Sequence, residues 1–246
     1  MAFTPLIAGN WKMNGLPQDV RQIHNIRDAA NEANYDCELL ICPPAALIMQ
    51  FSAHAGDRLK IGAQDCHFED GGAYTGDHAA SLLKAAGARY VIVGHSERRR
   101  DYQEKSPLIA KKALAAQKAG LMPIICVGET LEERDAGQTL EVVIRQVTRS
   151  TKFMIGNDYV IAYEPIWAVG TGKTPTLEEV SDIHHQIREK LVELDGENGA
   201  KTRILYGGSM KPANAKALLA LENVNGGLIG GASLKADDFM AIAACV

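Results

Sequence analysis

Short runs of apolar, often β-branched residues recur along the whole chain and are separated by longer, more polar segments. Most of the runs are hydrophobic throughout and do not alternate, which is typical of strands buried on both faces of a parallel sheet. Eight runs are predicted as strands, at residues 6–8, 37–42, 59–63, 90–93, 121–127, 159–163, 203–206 and 227–229. Each intervening segment has room for one crossover helix, so the pattern predicts a βα repeat.

The segments between the strands carry helix signals of different strength. The clearest is a capping box, in which Thr176 caps the helix and Glu179 returns the hydrogen bond three residues later. An apolar stripe at helical spacing follows it, formed by Val180, Ile183, Ile187, Leu191 and Leu194. Residues 74–86 are predicted to hold little helix, and residues 195–201 are predicted to form an exposed loop.

We predict an α/β protein in which residues 1–246 form a single domain, because no Ser/Pro-rich linker or change in composition divides the chain. Eight βα units fit a closed (β/α)8 barrel, whose usual length is about 250 residues, better than an open doubly wound sheet. In such barrels the active site lies at the carboxyl ends of the strands. Residues that directly follow a predicted strand are therefore candidates for chemistry.

Charge and composition narrow the range of partners. The chain has 26 Lys and Arg against 30 Asp and Glu, a net charge of −4, so nothing favours binding to nucleic acid. No segment approaches the roughly 18 uninterrupted apolar residues that would span a membrane, and the N-terminal segment lacks the basic region of a secretory signal. Five cysteines without a CxxC pair fit reduced thiols. We expect a cytoplasmic protein.

Polar side chains follow the first and fourth predicted strands. Asn10 and Lys12 would face the same side of an extended chain, where they could receive an anion, although a lysine here can also reach from the surface into solvent. His95 ends the fourth strand and is either a structural histidine or a catalytic one. A helix that starts directly after it would hold its imidazole neutral by opposing added positive charge. No histidine spacing matches a metal motif such as HExxH, so we assign no metal.

A carboxylate stands at the end of the sixth predicted strand. Partial desolvation would suit Glu164 to act as a general base, and a rim salt bridge is the alternative. The loop 166–173 has two glycines and an apolar tip, which is typical of a lid that excludes water. Its end resembles a nucleotide P-loop, but Trp167 occupies the position where that motif requires glycine, so the P-loop is rejected.

Glycine pairs follow the last two predicted strands, at Gly207 and Gly208 and at Gly230 and Gly231. Glycines at these strand ends let backbone N–H groups approach an anion closely, and barrels often bind phosphate here. The pattern predicts a phosphate cradle.

Taken together, these segments resemble the triosephosphate isomerase family over the whole length of the chain. The resemblance is carried by seven ordered blocks, namely 9–15 (GNWKMNG), 72–76 (GAYTG), 94–99 (GHSERR), 126–129 (CVGE), 163–173 (YEPIWAVGTGK), 206–209 (YGGS) and 230–234 (GGASL). It implies a TIM barrel that needs no cofactor and interconverts dihydroxyacetone phosphate and D-glyceraldehyde 3-phosphate through an enediolate, in glycolysis and gluconeogenesis.

The resemblance also implies roles for individual residues. Glu164 would remove the proton beside the carbonyl, and neutral His95 would polarise that carbonyl and shuttle a proton between the two oxygens. Lys12 would stabilise negative charge with the support of Glu97, and Asn10 would donate to an oxygen of the intermediate. The phosphate would lie on the backbone N–H groups of Gly170, Ser209, Gly230 and Gly231.

A homodimer is implied as well, with the loop that carries Thr75 inserted beside the neighbour's active site. Many relatives have a glutamate where this chain has Asp77. The shorter side chain of Asp77 reduces the reach of any charge contact between subunits. Pro175 replaces the commoner alanine after the lid and has no N–H, so a lid latch from this position to Tyr206 would have to take another form.

Two other functions remain open on the residues alone. A phosphosugar aldolase would use Lys12 to form a Schiff base with its substrate. A barrel that only binds a phosphorylated metabolite would need the phosphate cradle but no base, so the combination of Glu164 and His95 argues against it.

Overall fold

The fold is a closed barrel of eight parallel strands in chain order, with β8 paired to β1. The computed structural model describes residues 4–33, 35–168 and 174–246. The strands are β1 Leu6–Asn10, β2 Glu38–Cys42, β3 Leu59–Ala63, β4 Tyr90–Val93, β5 Met122–Val127, β6 Val160–Tyr163, β7 Arg203–Tyr206 and β8 Gly226–Ile229. The predicted strands agree with these within one or two residues, and the predicted (β/α)8 barrel is confirmed.

Helices connect the strands around the outside of the barrel. Within the described residues they are α1 Val20–Glu32, α2 Ala45–His54, α3 Ala80–Ala85, α4 Ser96–Asp101, α5 Ser106–Lys118, α6 Leu131–Asp135, α7 Thr139–Ser150, α8 Leu177–Lys201, α9 Pro212–Leu219 and α10 Ala236–Ala243. Short 3₁₀ turns occur at Pro17–Asp19, Ile166–Ala168 and Gly231–Leu234. In this part of the chain no helix has both the length and the apolar character needed to cross a membrane.

Helix α8 begins as predicted but ends later. Thr176 Oγ1 accepts the N–H of Glu179 at 3.1 Å, and the Glu179 carboxylate accepts the N–H of Thr176 at 2.7 Å, which confirms the capping box. The predicted loop at 195–201 is wrong, because helix resumes after a break at Asp195 and Gly196. Gly196 adopts φ +52, which glycine tolerates, and the Asp195 carboxylate accepts the side-chain amide of Asn198 at 2.7 Å, which fastens the last turns.

The strands separate two apolar layers, since successive side chains point to opposite sides of the sheet. Inside the barrel lies a small core that includes Leu6, Ala8, Leu40, Ile92, Ile124, Cys126, Leu205 and Leu228. The larger core, which includes Ile7, Ile41, Phe51, Val91, Ile161 and Phe239, fills the space between strands and helices. The barrel interior is thus packed with side chains, which leaves its two ends as the places for ligands.

One buried histidine holds an outer helix against the barrel. His184 on α8 is fully buried and meets the ring of Tyr163 edge-on, with ring centroids 5.9 Å apart. Its Nδ1 lies 2.9 Å from the carbonyl oxygen of Asn223, so Nδ1 carries the proton, and Nε2 has no hydrogen-bond partner among the described residues. Burial lowers the pKa of His184 to about 4, because a second proton would place an unpaired charge in the core.

This histidine should make the protein less stable in mild acid. Its folded pKa of about 4 lies below the ordinary 6.5, so the unfolded chain takes up the proton first. The contribution of neutral His184 to the free energy of unfolding is full above pH 6.5 and is lost as the pH falls towards 4. Between pH 7 and pH 5 the loss is about 2 kcal/mol. Urea unfolding at both pH values should show this loss in wild type and in the exposed control His185→Gln, and its absence in His184→Gln. An unchanged loss in His184→Gln would contradict the assignment.

Candidate active site

A cavity of about 690 Å³ opens at the carboxyl ends of the strands. Its walls come from the segments that follow β1, β4, β6, β7 and β8. The sequence-predicted residues that it brings together are Asn10, Lys12, His95, Glu164, Ser209, Gly230 and Gly231. Glu97 lies beside them and contacts Lys12, whereas Gly170 and the rest of the predicted lid at 169–173 lie outside the described residues.

The backbone conformation that places Lys12 at the cavity differs from the predicted extended one. Its backbone has φ +53, so the chain is not extended there and simple alternation does not explain why it shares a site with Asn10. The Asn10 side-chain oxygen accepts the N–H of Lys12 at 3.1 Å, and the Gln64 amide donates to the carbonyl oxygen of Lys12 at 2.9 Å. These bonds hold a backbone conformation that is unfavourable for a non-glycine residue, a feature that clusters at functional sites.

The ammonium of Lys12 is fixed by a second contact. Its Nζ lies 2.6 Å from Oε1 of Glu97, which stands in the first turn of α4. Both side chains are partly exposed, so the pair is oriented and still accessible from the cavity. A positive charge held at the mouth of a cavity suits the binding of an anion.

His95 caps helix α4 and is held in one orientation. Its Nδ1 accepts the backbone N–H of Glu97 at 3.3 Å, and its Nε2 lies 3.1 Å from Oε1 of Glu164. A nitrogen that accepts a hydrogen bond carries no proton, so in its neutral form the ring bears its proton on Nε2 and donates it towards Glu164. The imidazole is thereby aimed into the cavity as a donor.

Glu164 is 2% exposed and is held by two donors. Oε2 accepts the backbone N–H of Ser96 at 3.0 Å, and Oε1 accepts the Nε2 proton of His95. Burial raises the pKa of Glu164, but the charge and hydrogen bond of His95 and the N–H of Ser96 lower it by more, so that it lies below the ordinary value. In this arrangement the carboxylate is a stabilised anion.

The same contact changes His95. Burial lowers the pKa of its imidazole, but the carboxylate of Glu164 raises it by more, so the pKa lies above the ordinary 6.5. From the sequence alone, only the helix start at Ser96 could be expected to act on the imidazole, and it opposes added positive charge. The structure adds the carboxylate, whose effect prevails while the two groups remain 3.1 Å apart.

Glycines around Glu164 provide the space that it occupies. A Cβ at Gly207 would lie 2.7 Å from Cγ of Glu164, and one at Gly128 would lie 1.8 Å from its carbonyl oxygen. A Cβ at Gly208 would meet the hydroxyl of Tyr206 at 2.2 Å. Both glycines also line the cavity, so the pair after β7 makes room for neighbouring side chains at the site, and the approach of an anion to its N–H groups stays a prediction.

The second glycine pair is arranged differently. A Cβ at Gly230 would have only Lys12 Cε nearby, at 3.8 Å, and a Cβ at Gly231 would have no described atom within 4 Å. Both residues line the cavity, so their backbone is open to a ligand. This geometry fits the predicted cradle for an anion.

Several residues of the site could not be identified from the sequence. Ser96 acts through its backbone N–H, for which its side chain gave no signal. Trp167 donates its Nε1 proton to Oε1 of Glu129 at 2.8 Å, and the guanidinium of Arg134 lies 3.9 Å from the Trp167 ring centre. These contacts hold Trp167 in the first part of the predicted lid. The block 126–129 contributes to the family resemblance, but it gives no role for Glu129.

Two features set the chemistry available to this site. The carboxylate of Glu164 and the imidazole of His95 are in hydrogen-bond contact at the cavity. The ammonium of Lys12, fixed by Glu97, and open backbone N–H groups face the same cavity. Among the described residues no three His, Cys, Asp or Glu side chains are placed to hold a metal ion. The fold and site define a barrel enzyme that can move protons on a small anionic substrate.

Comparison with known proteins specifies the family. The sequence profile described as Triosephosphate isomerase matches residues 5–246. The chain is 54% identical over 244 residues to the triosephosphate isomerase of Xanthobacter flavus, covering 98% of this chain and 97% of that protein. It is 52% identical to that of Bradyrhizobium diazoefficiens over the same shares of the two chains. A crystal structure of the Bartonella henselae enzyme matches with a TM-score of 0.91 at 45% identity, covering 99% of both chains. The chain belongs to the triosephosphate isomerase family.

Proposed function

We propose that this chain interconverts dihydroxyacetone phosphate and D-glyceraldehyde 3-phosphate through an enediolate, as a step of glycolysis and gluconeogenesis. The observation that carries the proposal is the contact between Glu164 and His95, 3.1 Å apart at a cavity that Lys12 also lines. An isomerisation of this kind moves protons between carbons and between oxygens, so it requires a base and a donor at the same cavity. Family membership supplies the substrate class.

Glu164 is proposed to be the base. Bound to Ser96 and His95 it is a weak base, because both partners lower its pKa. When it turns to the substrate carbon it leaves these partners, and burial, which raises its pKa, then dominates. Its basicity therefore increases at the step where it must take a proton.

His95 is proposed to polarise the carbonyl. Once Glu164 has turned away, the Nε2 proton is free to be donated to a substrate oxygen, with Nδ1 still fixed by the N–H of Glu97. Loss of the nearby carboxylate also lowers the pKa of His95, which favours the neutral ring. A neutral imidazole can then pass its proton between the two oxygens of the intermediate.

Negative charge on the intermediate is proposed to be balanced from one side of the cavity. Lys12 supplies the charge and Glu97 fixes its position, 2.6 Å from one carboxylate oxygen. Asn10 uses its side-chain oxygen to hold the N–H of Lys12, so its amide nitrogen remains to donate to an oxygen of the intermediate.

The phosphate group is proposed to lie on backbone N–H groups. Ser209, Gly230 and Gly231 line the cavity, and the open space beside the last two accommodates an anion. Gly170 is proposed as the fourth donor, from the loop 166–173 acting as a lid. Excluding water would protect an enediolate that could otherwise lose its phosphate.

Two alternatives are less well supported. An aldolase of the Schiff-base type needs a lysine Nζ that is free to attack a carbonyl, whereas the Nζ of Lys12 lies 2.6 Å from Oε1 of Glu97. A barrel that only binds its ligand would have no use for a buried carboxylate paired with an imidazole.

Shortening the base should test the proposal directly. Glu164→Asp withdraws the carboxylate by one methylene, so we expect a loss on the order of 10²-fold or more in kcat for triose phosphate interconversion. A coupled assay with purified wild type and variant measures it. The matched control Glu132→Asp changes an exposed glutamate on α6 and should keep the wild-type rate. Equal rates for Glu164→Asp and wild type would remove Glu164 from the role of base.

We also propose that two chains form a homodimer in which the loop carrying Thr75 inserts beside Asn10 and Lys12 of the neighbour. Large apolar side chains near these segments are exposed in the single chain, among them Met13 at 97% and Tyr74 at 44%. Covering such side chains is a common reason for association.

Sedimentation analysis of Thr75→Arg tests the dimer. The bulky cation should not fit an inserted loop, so we expect monomers at micromolar concentration together with a reduced kcat, because the segment around Lys12 loses its cover. Ala217→Arg adds the same side chain at an exposed position of α9 and should leave the oligomeric state unchanged. A Thr75→Arg protein that sediments like wild type would argue against insertion of this loop.

The remaining proposals concern the chain as a whole. We propose that residues 1–246 fold as a single domain, because the eight strands close one barrel. We propose a cytoplasmic location, supported by five unpaired cysteines.

A further inference from the structure

A second cavity of about 590 Å³ lies at the opposite end of the barrel from the active site. It is formed at the amino ends of β3, β4, β5 and β6 and by the turns that precede them. The lining residues that matter for its chemistry are Lys60, Lys84, Arg89, Gly120, Gly156 and Asp158. The proposed isomerisation uses none of them.

The charge of this cavity is unusual for the protein. Three cationic side chains and one carboxylate line it, although the whole chain carries a net charge of −4. Lys60 bonds to Glu38 behind the wall, but Glu38 also accepts Arg203 at 2.7 Å, so its single charge is shared between two cations. Asp158 alone therefore cannot neutralise the cavity, which keeps a local excess of positive charge.

Two of the three cations, Lys84 and Arg89, have no carboxylate partner among the described residues. Arg89 has its backbone fixed on both sides, with its N–H bonded to Ile61 and its carbonyl oxygen to Met122, at 2.7 and 2.9 Å. Lys84 Nζ donates to the carbonyl oxygen of Gly120 at 2.6 Å. Among the described residues no carboxylate lies within ion-pair distance of either cation. A guanidinium that extends from an anchored backbone and has no carboxylate partner is well suited to phosphate.

The walls also provide a defined shape. Gly120 and Gly156 form turns with φ +76 and +74 at the rim, and the side chains of Gln117 and Asn157 are joined by a 2.8 Å hydrogen bond across the cavity wall. The volume lies within the range of about 300–1,000 Å³ that is common for small-molecule sites. A concave site of this size fits a small ligand better than a long polyanion.

We propose that this cavity binds a small phosphorylated metabolite that carries at least two negative charges. One phosphate would be held by Arg89 and Lys84, with Lys60 available for a second anionic group. The ligand would occupy the end of the barrel away from the catalytic residues, so it can bind while substrate is present. Because the contacts are ionic and partly exposed, binding should weaken as salt concentration rises.

Pyrophosphate is a suitable probe, and an NMR titration of the full chain separates the two anion sites. Backbone amide signals of Gly120 and Gly156 report on the proposed cavity, and those of Gly230 and Gly231 report on the active site. In wild type we expect both groups of signals to move. In the double variant Lys84→Gln/Arg89→Gln we expect the pyrophosphate affinity reported by Gly120 and Gly156 to fall at least tenfold. The affinity reported by Gly230 and Gly231 should stay within twofold of wild type.

Two controls complete the experiment. Lys152→Gln/Lys216→Gln removes the same charge outside the cavity and should leave both groups of signals as in wild type. Arg89→Lys keeps the charge and should retain a higher affinity for pyrophosphate than Lys84→Gln/Arg89→Gln. The kcat/KM of Lys84→Gln/Arg89→Gln for triose phosphates should equal that of wild type. Shifts confined to Gly230 and Gly231, or a double variant that titrates like its charge-matched control, would overturn the proposal.

Discussion

The contact between Glu164 and its two donors is the interaction on which the active site depends. A carboxylate that is 2% exposed is costly to bury unless it is paired, and here the Ser96 N–H and the His95 imidazole supply the pairing. Glu164 follows β6 and His95 follows β4, while Gly128 after β5 and Gly207 after β7 leave room for Glu164. Four consecutive strands must therefore be in register for this one contact to form, and closure of the barrel provides that register.

The same contact sets the proton affinities of both Glu164 and His95. While Glu164 is bound to Ser96 and His95, its pKa is lowered and that of His95 is raised, so the resting site holds a weak base. Turning Glu164 towards a substrate removes both effects at once, which gives a stronger base and a neutral imidazole. Burial is then the main effect on both groups, because it raises the pKa of Glu164 and lowers that of His95. The barrel thus holds two groups whose proton affinities depend on the distance between them.

Much of the fold and part of the site could be predicted from the sequence. Buried parallel strands leave continuous apolar runs, and barrel topology places their carboxyl ends together, so Lys12, His95 and Glu164 could be expected near one another. What the sequence could not show depends on backbone detail: the left-handed turn at Lys12, the N–H of Ser96, and the space left by Gly207. The error at 195–201 has a similar cause, because a helix break at Gly196 looks like the start of a loop.

The most direct test of this account is the pKa of the His95 imidazole, measured by ¹⁵N NMR in wild type and in Glu164→Gln. The glutamine keeps the size of the side chain but removes the charge that raises the His95 pKa. We expect a His95 pKa above 6.5 in wild type and a clear fall in Glu164→Gln, with a smaller fall in Glu97→Gln, because the Glu97 carboxylate lies 3.6 Å from Nδ1. A His95 pKa that is the same in wild type and Glu164→Gln would contradict the coupling of the two groups.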